Sequence, residues 1–408
     1  MSNYTLHEVK TKKEAKDFLN ITNTIYKGTK NWIRPFDHEI NEVFDPKKNE
    51  LFNDGELIRW VLKDEKDNII GRIAAFYSIE KAEEYEQPTG GCGFFECINS
   101  QEAANILFDA AKEWLISHKM EAMDGPINFG DRDKWWGVLV EGFEPPVYGM
   151  NYNHEYYKEL FENYGFKNYY NQYTYGKDVI NSEGGIEIGE AAKNKANRLA
   201  QNPDYMFKHL DKRNLKQASA AFVNIYNKAW AGFTGVKPMT QEQADNLFKT
   251  MKPVIDEKLI YFSYYKGNIV GFFIQIPELN QVIRHLNGKF NLWAKLKFLY
   301  YLKIKKECTT VLSLIFAVLP EHQGKGIESG MMNAFRSYAE HNKINYNYLE
   351  LTWVGDFNPL MMRMMETYVE SKITKIHVTY RYLFDREKPF TRAARVSRAR
   401  VKKTEQAN

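Results

Sequence analysis

The sequence predicts an α+β protein of two tandem domains, each a mixed, mostly antiparallel sheet flanked by helices. Three observations lead there. β-rich and helical runs follow one another in the same order twice along 408 residues. The first half's hairpin contains Asn68-Ile69-Ile70-Gly71 and the second half's contains Asn268-Ile269-Val270-Gly271, in matching context, which points to internal duplication. The chain is also too long for one ordinary core.

In the first half, Tyr4 to Val9 reads as a short strand and Lys12 to Tyr26 as a helix, with Ala15, Phe18, Leu19 and Ile25 near helical spacing. Leu57 to Lys63 and Ile69 to Tyr77 form a hairpin across the polar turn Asp64 to Asn68. Phe94 to Ile98 is a strand. Gln101 to Ser117 is a helix, capped by Ser100, with Ala104, Leu107, Ala111 and Leu115 on one face. A loop-rich stretch, Asn128 to Tyr152, precedes a helix at Glu155 to Tyr164 and a closing strand at Phe166 to Tyr175.

The second half has helices at Asp211 to Trp230 and at Thr240 to Ile255, the latter with Thr240 and Gln243 placed as a capping box. Leu259 to Tyr265 and Ile269 to Ile276 form the second hairpin. Thr309 to Val318 is an apolar strand, Gly326 to Asn342 a helix, Asn345 to Trp353 a strand, Asn358 to Glu370 a helix and Ile376 to Phe384 the last strand. The expected organisation is 1–178, a connecting segment 179–205 containing Gly184-Gly185, a second domain 206–385 and a basic tail 386–408.

Net charge is only +4, which gives no argument for a nucleic-acid partner. Three cysteines, Cys92, Cys97 and Cys308, offer neither a disulfide framework nor a zinc ligand set, so no metal is expected. The N-terminus is polar and no run of 18 apolar residues occurs, so the expected location is cytoplasmic. Aromatic residues make up 15% of the chain, enough for large cores or for an apolar ligand channel.

The segment Val318-Leu319-Pro320-Glu321-His322-Gln323-Gly324-Lys325-Gly326-Ile327-Glu328 follows an apolar strand and opens a helix. Glycines let backbone amides approach a ligand, and a helix start supplies unpaired N–H donors with partial positive charge. Together they suit a diphosphate, with Lys325 as a mobile cation at its edge. The alternative is a structural strand-to-helix turn with its cap.

This segment resembles motif A of the GNAT acyltransferase superfamily, through Gln323, Gly326 and the preceding Val318-x-Pro320. The resemblance spans roughly 210–385. It implies a GNAT-like domain that takes acetyl-coenzyme A or another acyl-coenzyme A. Ala317 and Val318 of the preceding strand would pair with the cofactor arm. Gln323, Gly324, Lys325, Gly326 and Ile327 would hold the diphosphate, and Asn358 would contact the arm. Glu328 stands where the superfamily has a small residue. Met365 stands where many members place a proton-donating Tyr seven residues after that Asn, and Tyr368 lies on the wrong side of an α-helix by spacing.

The first half resembles the same fold through Tyr156-Tyr157-x-x-Leu160 and Gly165-Phe166 but has no glycine-rich turn, so it reads as GNAT-like without a cofactor site. The whole chain also resembles a group of bacterial proteins with two such domains, through Gly125-Pro126-Ile127-Asn128-Phe129, Glu141-Gly142-Phe143 and Glu350-Leu351-Thr352-Trp353.

Acyl transfer to an amine needs a base near the acyl carbon. Glu350, on the strand after motif A, is the candidate base; a structural carboxylate is the alternative. Tyr380 on the last strand is a candidate acid; core packing is the alternative. The expected acceptor is a small-molecule amine or an amino-acid-like molecule, met at the junction of the halves. A non-catalytic acyl-coenzyme A-binding or regulatory protein is the rival reading, and a tandem aminoacyl transferase working on charged tRNA is a second. Asn291 to Lys306 interleaves Leu292, Leu296, Leu299 and Tyr300 with five lysines. It reads as a surface helix, with contact to a membrane surface as the alternative. The tail from Arg386 to Lys403 reads as solvated, with anionic lipid or RNA as alternatives.

Overall fold

The computed structural model describes residues 3–130, 132–179, 188–230, 238–342 and 344–395. Gly184-Gly185 of the connecting segment and Arg398, Arg400, Lys402 and Lys403 of the tail lie outside them.

Thirteen strands make one sheet. The first half contributes β1 (Thr5–Glu8), β2 (Gly55–Lys63), β3 (Ile69–Ser78), β4 (Thr89–Cys97), β5 (Ala122–Gly125), β6 (Val138–Glu141) and β7 (Lys167–Asp178). The second contributes β8 (Tyr205–His209), β9 (Ile260–Tyr265), β10 (Asn268–Pro277), β11 (Thr310–Val318), β12 (Tyr348–Gly355) and β13 (Lys372–Leu383). β4 begins five residues before the expected strand. Gly90, Gly91 and Gly93 carry no side chains to show the β pattern, yet Gly93 pairs with β3, Gly90 with β5 and Gly91 with both. The likeness of the two halves extends to register: Gly71 sits opposite Cys97, the last residue of β4, and Gly271 opposite Val318, the last of β11.

Helices follow local chemistry. Ser100 accepts from the Ala103 amide and starts the Gln101–Ser117 helix, which buries Ala104, Leu107, Ala111 and Leu115 along one stripe. Thr240 and Gln243 make the expected capping box. The expected helix from Asn358 is α-helical only over Pro359–Arg363 and becomes a π-helix over Met364–Val369.

The strand order is β1-β2-β3-β4-β5-β13-β7-β12-β11-β10-β9-β8, with β6 on β13. Each closing strand therefore pairs with the opposite half: β13 with β5, and β7 with β12. The two closing strands also pair with each other along their length. Arg381 of β13 forks onto Asp124 of β5 at 2.6 and 2.8 Å, fully buried, with its guanidinium 3.6 Å from the Tyr169 ring centroid. That geometry is bidentate and stacked, the arrangement in which arginine is not replaceable by lysine.

Candidate functional site

In the second half the parallel pair β11–β12 holds only from Thr310–Tyr348 to Ser313–Leu351. β11 then bulges at Leu314 and continues to Val318 with β10 alone beside it. The two strands splay, and β11 presents one backbone edge from Leu314 to Val318 to the gap. Tyr175, Leu351, Val354, Met365 and Val369 pack together there, and Phe316, Met332, Met361, Met362 and Met364 lie half-buried against them. Unbranched methionines adapt their shape to an apolar guest.

At the upper end of the splay the chain makes a turn over Pro320–His322 and enters the Ile327–His341 helix through Gly324 and Gly326, both left-handed with φ 73° and 91°. Gln323, Gly324 and Lys325 are exposed, and Ile327 is buried. The Gln323 side chain donates to the Val318 carbonyl at 3.1 Å and so holds the turn shut below the helix start. The Glu190–Ala200 helix runs alongside, and a Cβ on Gly326 would meet that of Lys195 at 3.1 Å. Lys195 donates to the Tyr368 hydroxyl at 2.9 Å, which lowers the Tyr368 pKa. Glu328 occupies the first helical turn, where a carboxylate is favoured by the helix start.

The corresponding splay of the first half is filled by protein. β4 and β5 pair only over Thr89 to Gly91, but the Ile127 amide then donates to the Cys92 carbonyl at 2.8 Å. The Cys97 amide donates to the Tyr157 hydroxyl at 3.1 Å, and the Tyr156 hydroxyl donates to the Cys97 carbonyl at 2.8 Å. Ile98 and Asn99 lead straight to the Ser100 cap with no glycine turn between. The backbone groups that a cofactor arm would use are already bonded.

A polar row crosses the sheet beside the open splay. Register puts Glu350, Gly176, Thr174, Gln172, Lys375 and His377 on one face. Lys375 reaches over Gly176 to Glu350 at 2.6 Å, with both side chains at most a tenth exposed. The Tyr348 hydroxyl lies over Gly176, 2.1 Å from where a Cβ would stand. Glu278 is buried nearby and accepts from the amides of Tyr148 and Asn280. Burial, and then the Glu350 charge, push its pKa up to about 8. His377 Nε2 donates to the Asn151 carbonyl at 3.0 Å, and burial holds its pKa down to about 4, so it is neutral near pH 7. Gln172 Nε2, Thr174 Oγ1 and His377 Nδ1 are buried and find no partner among the described residues, a pattern that native interiors keep for water, ligand or chemistry.

Beside this row lies a cavity of about 80 Å³ walled by both halves. Its lining includes Trp32, Ile33 and Phe36, the buried Arg72–Glu96 pair, Tyr148 to Asn153, and Asn280 with Ile283. Glu96 also accepts from the hydroxyls of Tyr26 and Tyr157, both at 2.7 Å, and burial raises its pKa.

Glu350 and the Gln323–Ile327 turn thus flank the same splay, with Ala317 and Val318 on its β11 edge. Asn358 caps the Pro359–Arg363 helix, accepting from the Met361 amide at 3.2 Å. Tyr380 is not part of this site. It pairs opposite Gly125, stacks on Phe161 and donates to Glu162 at 2.8 Å in the first half's core. The strand exchange carries it there, which a reading of β13 as an ordinary last strand could not foresee. Met365 does sit in the splay, buried. Tyr368 lies outside the cluster around Met365, with the Lys195 ammonium 4.3 Å from its ring centroid beside the helix start. Sequence reasoning missed Glu278, which follows an apolar strand and a proline, and Tyr175, which reaches the splay only through the exchange. Among the described residues no group of three His, Cys, Asp or Glu could hold a metal.

No family model matches the chain. A bacterial ceramide synthase from Caulobacter vibrioides is 29% identical over 367 residues, covering 88% of this chain and 92% of that one. Protein YghO of Escherichia coli is 25% identical over 367 residues, covering 87% and 89%. Among solved structures, a tandem GNAT protein from the clavulanic acid biosynthesis pathway superposes with a TM-score of 0.52 at 10% identity, covering 95% of this chain and all of that one. A fungal GCN5-related glucosamine N-acetyltransferase region, part of a multi-domain β-N-acetylglucosaminidase, gives 0.51 at 11% identity, covering 94% of this chain and 38% of that one. The fold is that of tandem GNAT proteins.

Proposed function

From a tandem GNAT fold with one open splay and one closed, we propose that this chain is an N-acyltransferase that moves an acyl group from an acyl-coenzyme A to an amine. The observation that carries this reading is the asymmetry between the halves. Where β11 leaves β12, a backbone edge and the exposed Gln323–Lys325 turn before the helix stand open; where β4 leaves β5, Ile127, Tyr156 and Tyr157 close the corresponding gap. An acyl-coenzyme A supplies the activated acyl group. The amides of Gly324 to Ile327, with Lys325, would hold its diphosphate, and the Leu314–Val318 edge its arm. The methionine-lined gap favours a long acyl group over acetyl.

The acceptor we infer is an amphipathic long-chain amine, because a ceramide is the amide of such a molecule and a relative carries that name. Its polar end would enter the cavity beside Glu278 and Glu350. Glu350 would take the proton that the amine must lose, and Lys375, 2.6 Å away, orients its carboxylate. Tyr175 packs in the same cluster as Met365, donates its hydroxyl to Glu366 at 3.1 Å, and would return a proton to the leaving thiol. Met365 itself has no proton to give, which is the one observation favouring a coenzyme A-binding protein without turnover.

The test is calorimetry with coenzyme A, acetyl-coenzyme A and palmitoyl-coenzyme A, followed by thiol release over short and long-chain amines. We expect heat from all three, tightest for palmitoyl, and release only with long-chain amines. Heat without release over the whole panel would favour the binding protein, and no heat at all would remove the assignment.

A further inference from the structure

We propose that the Leu292–Leu299 helix and its π-helical continuation Tyr300–Lys305 form a docking surface that seats this protein on an anionic lipid bilayer. The segment is amphipathic in an unusual sense: its outward face is the apolar one. Ala294, Phe298 and Leu302 point into the core. Leu292, Trp293, Leu296, Leu299, Tyr300 and Ile304 are exposed, with Leu292 71%, Trp293 79% and Ile304 72% accessible. At about 100° per residue, the exposed set from Leu292 to Tyr300 occupies a single stripe opposite the buried one. No comparable run of exposed large apolar side chains occurs elsewhere among the described residues.

Charge says what covers it. Lys289 to Lys306 contains six lysines and no acidic residue. Lys295 and Lys297 fall on either side of the apolar stripe, and Lys303, Lys305 and Lys306 continue beyond it, all exposed. Leucine and tryptophan flanked by lysines match an interface with an apolar interior and an anionic surface. A second copy of the chain fits poorly, since a two-fold contact sets the same patch against itself and brings the lysine rows together. Among the described residues no helix is long and apolar enough to cross a membrane, so the contact is peripheral.

Docking there would also set the cavity's direction. Phe290, at the start of the segment, packs on Phe36 at 4.7 Å and on His38 at 4.9 Å between ring centroids. Phe36 lines the cavity, as does Ile283 shortly before the segment. A bilayer under Trp293 would thus lie beside the cavity's wall, where an amphipathic molecule could pass from lipid to protein.

The experiment is co-sedimentation of the full chain with vesicles of phosphatidylcholine alone and of phosphatidylcholine mixed with phosphatidylglycerol. A Leu292→Gln, Trp293→Gln, Ile304→Gln variant is the comparison, since these side chains are exposed and folding can be checked by thermal melting. We expect binding to the mixed vesicles, weakened by salt, and lowered about tenfold or more in the variant. Lys295→Gln with Lys305→Gln should remove the preference for phosphatidylglycerol. Absence of binding to mixed vesicles, or undiminished binding by the folded triple variant, would overturn the proposal. So would a concentration-dependent dimer, lost in the variant, in place of vesicle binding. The heat of coenzyme A binding should be equal in wild type and variant, so this inference and the acyltransferase reading fail separately.

Discussion

Glu350 and Lys375 meet at 2.6 Å where neither can be solvated by bulk water, so each is the other's solvent. Removing the cation alone, as in Lys375→Met, leaves a buried carboxylate unpaired and should cost about 3–5 kcal/mol in denaturant unfolding. Adding Glu350→Gln to it should restore part of that loss. With folding intact, Glu350→Gln alone should lower amine-dependent thiol release about a hundredfold or more if it is the base. Glu278 behaves differently. Its folded pKa, about 8, lies above the ordinary carboxylate range, so the folded chain holds a proton that the unfolded chain has released. Its contribution to stability is full below the ordinary carboxylate pKa and is lost as pH rises through about 8. Glu278→Gln should therefore flatten the fall in melting temperature across that window; an unchanged slope would exclude the assignment. Glu350 was legible because it alternates with apolar residues on a recognisable strand. Glu278 was not, because burial of a residue just past a strand's end is decided by the loop that folds over it, here through the Tyr148 amide.

At the scale of elements, the glycine turn was legible because backbone demands on φ and on close approach leave glycine in the sequence, whereas the splay follows a bulge at Leu314 that no residue signals. Gly326→Val should show both demands. It meets a φ of 91° and the Lys195 side chain, and we expect about 1–2 kcal/mol of destabilisation. In isothermal titration below the melting point, coenzyme A binding should be lost; unchanged affinity would mean the helix start does not hold the diphosphate. The Pro359–Val369 segment was legible as a helix but not in its turn. No local residue signals the switch to π geometry at Met364. The first half's closed splay was only half legible: a missing glycine turn is visible in sequence, but the plug of Ile127, Tyr156 and Tyr157 is tertiary.

At the scale of the molecule, the exchange of β7 and β13 joins two similar halves in one sheet. Hydrogen bonds between strands leave no mark on local hydrophobic alternation, so either closing strand reads equally well as its own half's. The buried Arg381–Asp124 fork lies across that join. Calorimetric unfolding should show one transition, and Arg381→Met should lower it without splitting it; two resolved transitions would mean the halves are energetically separate. The central claim is that acyl-coenzyme A enters the β11–β12 splay and not its β4–β5 counterpart. Hydrogen–deuterium exchange with and without coenzyme A tests this most directly. The account predicts slowed exchange at amides from Leu314 to Val318 and from Gly324 to Ile327, with Phe94 to Asn99 unchanged. Protection at Phe94 to Asn99 instead, or at neither segment while calorimetry reports binding, would contradict it.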